Sequence, residues 1–325
     1  MKNYFLIIFT ALFLISCKRI NSIIDGINLK KEKLSEFNVQ IDTLTVGENG
    51  DLTKVVLFKN NFYCMFETSR KNTTQQFIKM MVFNQKGKFI EDVFVPEEVQ
   101  NMAHYDLIVE KDSLYVKENQ FEKENFVLGE YIADLTKVKT RNFCIFKNEI
   151  YNIYSDCKGE WGGTIFFENK KTKEVFETYS NCSVVINKIK KKYYITNRGM
   201  YSSNILKVSD PTKLHKSKLN LDENVGSKYN EGVEEIFNTD DLTIETSFVN
   251  EDKLYHLYSD KKNVFVGVIE NGKMKPQYKF DFNFYPHLNQ KLENGKQLLT
   301  FYIPSNRENG ILIIDKKNVQ FHILK

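Results

Sequence analysis

The octet Asp156-Cys157-Lys158-Gly159-Glu160-Trp161-Gly162-Gly163 concentrates more unusual chemistry than any other stretch of the chain. It holds the only Trp of the 325 residues and three of the 15 Gly. Glycines admit positive φ or close backbone approach, and an indole set between them offers a flat apolar surface with one N–H donor. Such an octet is either a platform for a ligand or partner, with Glu160 or Asp156 as polar contact, or a Trp that caps the edge of its structural unit over a tight turn. His104 and His287 form a second pattern, lying 10 residues before Leu114 and 11 before Leu298. If those leucines begin equivalent inner strands, both imidazoles reach one rim, where paired His bind a metal, act as acid and base, or simply make rim hydrogen bonds.

Enzyme signatures are otherwise thin. A glycosidase needs two carboxylates flanking the scissile bond, and Asp106, Asp156, Glu160 and Glu245 qualify by position without any spacing that selects two of them. Gly-x-Ser-x-Gly is absent, and no Cys has a placed His partner. The sequence contains no CxxC, HExxH or Asp-rich calcium loop, so no metal site, cofactor or catalytic set is assigned. His256 sits inside a strand pattern and reads as structural, while His215 and His322 have no company.

The elements that position these residues are short strands. Phe (26) and Tyr (17) are abundant and Pro is scarce (5), a composition that suits pleated, half-buried surfaces. From residue 52 onward each unit opens on an apolar strand, turns on Asn, Asp, Glu or Lys, and restarts at an apolar-aromatic anchor. A loop, a third strand, a Gly/Asn/Lys turn and a fourth strand complete it. The anchors Tyr63, Tyr115, Tyr151, Tyr194, Tyr255 and Leu299 are spaced by 52, 36, 43, 61 and 44 residues, around the roughly 40–50 of four-stranded propeller blades. The chain resembles six-bladed β-propellers in this rhythm, over about Leu52 to Lys325, without a WD or kelch signature. A pair of β-sandwiches is the rival all-β architecture. The longest spacing contains an insertion, Lys216 to Asp241, in which Glu231 to Phe237 has room for a turn or two of helix. Phe37 to Val46 alternates apolar and polar, a strand signal standing apart from the six units.

In a propeller, the loop between strands two and three shares a face with the crossover to the next blade. That rule gathers loops 70–74, 119–125, 156–163, 197–203, 260–263 and 305–309 with crossovers 96–105, 139–142, 179–183, 216–241 and 285–287. It predicts a binding face carrying Trp161, Glu160, Arg198, Tyr201, His104, His287 and Arg307. Function on such scaffolds belongs to loops.

The N-terminus speaks of compartment. Lys2 is followed by the apolar run Tyr4 to Ile15, short for a bilayer span of about 20 residues. Leu14-Ile15-Ser16-Cys17 then closes it and resembles the lipobox of bacterial lipoproteins. The resemblance implies a signal peptide over 1–16, acylation of Cys17, a tether over 17–36, and a single propeller-like domain over 37–325. It further implies anchoring in the outer membrane of a Gram-negative envelope, facing the periplasm because no acidic cluster follows Cys17. The remaining cysteines, Cys64, Cys144, Cys157 and Cys182, allow three pairings in that oxidising setting. Cys64 and Cys144 lie in apolar runs and read as buried thiols, whereas Cys157 and Cys182 lie beside turn residues and are the expected bridge. The charge balance of 46 basic to 42 acidic residues, net +4, with only short Lys runs at 30–31 and 190–192, excludes a nucleic-acid partner.

The function expected is a lipid-anchored binding or scaffolding protein with a protein or glycan ligand. The alternative is a propeller hydrolase or lyase acting on glycans, which needs two acids, or a His and an acid, converging at the channel mouth. The anchor itself is checked by fractionation. Cys17→Ser should shift the protein to the soluble periplasmic fraction or leave its signal uncleaved; normal processing with retained membrane attachment would contradict the lipobox.

Overall fold

The computed structural model describes residues 37–46, 50–69, 76–102, 104–118, 124–130, 133–139, 142–157, 162–218 and 227–325. Cys17, the signal and the tether lie outside them, as do Glu160 and Trp161. Among the described residues, alternating apolar runs form 26 strands. The first, β1 (Asn38–Leu44), precedes blade one: β2 (Asp51–Phe58), β3 (Asn61–Ser69), β4 (Gln76–Asn84) and β5 (Phe89–Val93). A one-turn helix α1 (Glu97–Gln100) leads to blade two: β6 (Tyr105–Glu110), β7 (Ser113–Glu118), β8 (Asn125–Leu128) and β9 (Leu135–Val138). Blade three has β10 (Cys144–Lys147), β11 (Tyr151–Ser155), β12 (Gly163–Asn169) and β13 (Val175–Ser180). Blade four has β14 (Ser183–Ile189), β15 (Lys192–Arg198) and β16 (Ser203–Val208); after β17 (His215–Lys216) it is completed by β18 (Val233–Thr239). Blade five is β19 (Thr243–Asn250), β20 (Lys253–Ser259), β21 (Val264–Glu270) and β22 (Lys273–Lys279), and blade six β23 (Tyr285–Lys291), β24 (Gln297–Ile303), β25 (Glu308–Asp315) and β26 (Asn318–Leu324).

The four strands of each blade pair antiparallel in chain order, and blades three and six each gain a fifth strand from elsewhere in the chain. The chain is a six-bladed β-propeller. The sandwich alternative is excluded, and all six anchors fall on second strands. Short turns opposite the loop face need left-handed backbone: Lys59/Asn60 (φ 47 and 63), Glu251/Asp252 (51 and 58) and Asn271/Gly272 (52 and 70) supply the paired positive φ of tight hairpins.

The strand expected over Phe37 to Val46 is β1, and it pairs in parallel with β26, from Asn38 opposite Asn318 to Leu44 opposite Leu324. It thus becomes a fifth strand of blade six. Its neighbour Phe37 packs edge-on against Tyr255 (5.6 Å) and Phe248 (6.4 Å) of blade five, and Leu44 joins the blade six–blade one core. Glu231 to Phe237 is not helical, because Val233 to Thr239 pairs along β16; completing a sheet edge outweighs local propensity. The insertion is not a crossover either. It lies between the third and fourth strands of blade four and sends β17 across to the outer edge of β13 in blade three. There His215 stacks on Tyr229 at 3.4 Å and meets Glu231, so it does have company.

Most of the apolar core lies between blades, in clusters shared by one and two, three and four, four and five, five and six, and six and one. The innermost strands are bound instead by polar side chains. Asn187 Nδ2 and Gln297 Nε2 both donate to the Ser247 carbonyl (2.8 and 2.7 Å), joining blades four, five and six. The Thr196 hydroxyl donates to Ser247 Oγ at 2.6 Å, which in turn lies 2.7 Å from His256 Nδ1. Full burial of His256 holds its imidazole well down, to about 3, and so neutral in this network.

The sign of the resulting pH dependence follows. Below about pH 6.5 the unfolded chain takes up a proton that folded His256 refuses, so stability is complete above 6.5 and falls as pH drops towards 3. The slope is about 1.4 kcal/mol per pH unit for one such group. Thermal melts of His256→Gln between pH 7 and about 4.5 should show a shallower decline than the unaltered protein; parallel declines would contradict a neutral, buried His256.

Candidate functional site

The site is built by irregularities in the inner strands. In five of the six blades the register between the innermost and second strands slips by one residue, while blade two is regular. A bulge leaves one residue unpaired and re-aims its side chain. The residues so released include Thr53 (between Leu52 and Lys54), Glu245 (between Ile244 and Thr246) and Asn289 (between Leu288 and Gln290). Each makes contacts outside its own pair of strands. Thr53 Oγ1 lies 2.7 Å from Tyr105 Oη of blade two, and that phenol donates to Glu67 at 3.0 Å. Asn289 Oδ1 accepts from the Val55 N–H of blade one at 3.2 Å. Glu245 accepts a close hydrogen bond from Arg198 of blade four.

Around these residues five charged or titratable side chains from five blades meet. Lys54 Nζ donates to Asp106 Oδ1 at 2.6 Å and lies 3.1 Å from His287 Nε2. Arg198 pairs with Glu245 and places Nη2 3.3 Å from His287 Nδ1. The imidazole therefore stands between an ammonium and a guanidinium. Burial lowers its pKa to about 4, helped by the charges of Lys54 and Arg198 and opposed by Asp106. Burial raises the Glu245 carboxyl, and the Arg198 guanidinium pulls it back. Desolvation also raises the Tyr105 phenol.

The opposite end of β23 closes on itself. Lys291 donates to the Ile186 carbonyl (2.6 Å) and Asn187 Oδ1 (2.7 Å) of blade four and lies 5.4 Å over the Phe146 ring of blade three. Burial brings its ammonium down to about 8. Gln290 bonds both backbone groups of Leu57 in blade one. These contacts bridge four blades.

Of the residues expected on the binding face, Arg198 and His287 come together in this cluster. His104 is exposed just ahead of β6, Tyr201 is exposed in the turn of blade four, and Arg307 is exposed in the β24–β25 turn with φ 54. Leu114 and Leu298 sit on second strands, not inner ones, and His104 precedes β6 whereas His287 lies within β23, so their spacing does not put the two His in equivalent places. Asp156 Oδ1 accepts the Thr164 N–H at 2.5 Å, fastening its loop. Asp106 and Glu245, which sequence position alone does not single out among the carboxylates, belong to the cluster, as does Lys54. Its signal is visible in hindsight: Leu52-Thr53-Lys54-Val55, Ile244-Glu245-Thr246 and Leu288-Asn289-Gln290 each place two polar residues together where a strand should alternate. His256 is buried and His322 faces Asp42 across the β1–β26 register. Cys64 is a buried free thiol; Cys144 is free and half-buried.

No protein-family model and no curated protein matches this chain. Among solved structures it is similar to a post-proline cleaving enzyme from Rickettsia typhi, with 11% identity and a TM-score of 0.35 over 84% of this chain and 44% of that one. It is similar also to the β-propeller domain of the Trilobed protease from Pyrococcus furiosus, with 12% identity and a TM-score of 0.37 over 82% and 96%. A third is the exo-β-1,3-galactanase from Phanerochaete chrysosporium, with 6% identity and a TM-score of 0.34 over 88% and 91%. This chain spans less than half of the Rickettsia enzyme. At such identities and scores, the likenesses carry no argument about activity.

Cys157 and Cys182 are joined by a disulfide that ties the β11–β12 loop of blade three to the start of blade four, with Cα atoms 4.8 Å apart. Closing a 25-residue separation is worth about 3 kcal/mol in the chain-entropy model. Cys182→Ser should cost stability of that order in chemical denaturation, and unreduced peptide mass spectrometry should recover the linked pair. Recovery of both as alkylated free thiols from protein prepared without reductant would contradict the bridge.

Proposed function

We propose that this chain is a lipid-anchored envelope binding protein that holds its ligand at the mouth of the propeller channel, on Lys54, Asp106, Arg198, Glu245 and His287. The observation carrying this reading is the convergence of these five side chains from five blades, with both acids neutralised by a cation. Ion pairs of this kind fix geometry and select partners more than they stabilise. A glycosidase needs one carboxyl protonated and another free to act on the sugar. Here Asp106 is committed to Lys54 and Glu245 to Arg198, so neither is at liberty for that role. The acylated Cys17 would carry the site to the membrane surface, and a lipobox Cys bearing several chains holds firmly where a single chain would not.

A second reading, a hydrolase or lyase acting on envelope or imported glycans, keeps one observation in its favour. The neutral imidazole of His287 stands beside two cations and within the same cluster as Asp106, an arrangement with acid–base capacity. Turnover separates the two. The full chain, extracted in detergent and incubated with a panel of envelope polysaccharides, should retain a ligand while releasing no shorter sugars or new reducing ends. Catalytic release of product abolished by His287→Gln would replace the binder with the enzyme.

A further inference from the structure

The hydrogen-bond count at His287 does not close within the protein. A neutral imidazole has one N–H and one acceptor nitrogen. Yet Lys54 Nζ, a donor only, stands 3.1 Å from Nε2, and Arg198 Nη2, also a donor only, stands 3.3 Å from Nδ1. Whichever tautomer is present, one of the two contacts sets a donor against a donor. An acceptor placed beside the ring relieves it by taking the imidazole N–H and the facing cation together. Oxygens of an anion do this best, because donors held in a low-dielectric wall bind charge more strongly than in water. The cations can be reached from outside: the side chains of Lys54 and Arg198 are 15% and 30% exposed, with Glu245 sealed behind at 8%.

The approach to this spot is aromatic. Tyr285 begins β23 two residues before His287, so by strand alternation it lies on the same face of blade six, about 7 Å further along. Its direct cross-strand partner is Tyr302, as Thr300 is that of His287. Tyr285 is 58% and Tyr302 38% exposed, large rings left in solvent on the rim of a polar site. An exposed aromatic pair offers an apolar face with a hydrogen-bonding edge, the surface on which the CH face of a pyranose ring rests.

Resting on the reading that the mouth is a binding site, we infer that its ligand is a saccharide carrying an anionic group. The anion, a carboxylate or a sulfate, sits against His287 between Lys54 and Arg198, and the sugar ring that bears it, or its neighbour, lies against Tyr285 and Tyr302. The committed pairs Lys54–Asp106 and Arg198–Glu245 hold the cations in place while leaving further N–H groups for the ligand, since an ammonium has three donors and a guanidinium five.

The test is titration calorimetry of the full chain in detergent against four probes: a galacturonic acid trisaccharide, a sulfated galactose trisaccharide, neutral galactotriose and inorganic sulfate. One or both acidic trisaccharides should bind about tenfold or more tighter than the neutral one, and that preference should collapse at high salt. The stronger acidic probe identifies the anion as carboxylate or sulfate. Arg198→Ala should abolish the preference. Because that variant also unpairs Glu245, Tyr285→Ala serves beside it: this exposed substitution leaves the fold intact and should weaken both trisaccharides about tenfold without changing inorganic sulfate. Equal binding of acidic and neutral sugars overturns the anion assignment while leaving the mouth as the binding site. Indifference of Tyr285→Ala overturns the sugar assignment, and failure of all four probes overturns the inference entirely. Cleavage of a bound acidic probe supports the ligand class and replaces the binder by the lyase or hydrolase.

Discussion

The innermost strand of every propeller blade is a sheet edge, and an edge presents backbone N–H and C=O groups that must find partners. In this chain those partners are side chains from other blades. Asn289 and Gln290 of blade six satisfy Val55 and Leu57 of blade one. Asn187 and Gln297 share the Ser247 carbonyl, and Lys291 crosses to the Ile186 carbonyl. The ring is therefore closed twice: at its outer edge by β1 on β26, and at its axis by amides and one ammonium. An apolar axis would leave these backbone groups orphaned at a cost of a few kcal/mol each.

That constraint also makes the site. Polar residues are needed along the axis for structural reasons, and a bulge in five blades turns them to face one another. Towards Lys291 the polar groups satisfy backbone and are used up within the protein. Around His287 they meet other charges and leave donors over. The same solution to an edge problem thus yields a fastening at one place and a charged cluster, the proposed ligand site, at another, with β23 running between them.

The fold was legible because strand rhythm survives in single letters: six aromatic or leucine anchors mark six second strands, and the long and short connections sort onto two faces. The site was not, because it depends on register. Arg198 and His287 stand out in the sequence by residue type and loop placement, yet what unites them with Lys54, Asp106 and Glu245 is a one-residue slip that moves side chains to another face. The slip leaves only a pair of adjacent polar letters, easily taken for a strand end. The role of β1 was equally hidden, since parallel pairing across about 280 residues of chain leaves no local mark. The insertion misled for a related reason: Glu-rich residues 231–237 favour helix locally, and only the unfilled edge of β16 makes them a strand.

On this reading His287 is a neutral imidazole held between Lys54 and Arg198, the place where an anion would bind. Nitrogen-15 NMR of the selectively labelled histidines measures this directly. Without ligand, the His287 ring should remain neutral until the pH approaches about 4. With an acidic trisaccharide bound, its titration should move upward, because a neighbouring negative charge favours the imidazolium. A ring that titrates near its ordinary value of about 6.5 in both states, unmoved by the saccharide, would contradict the account.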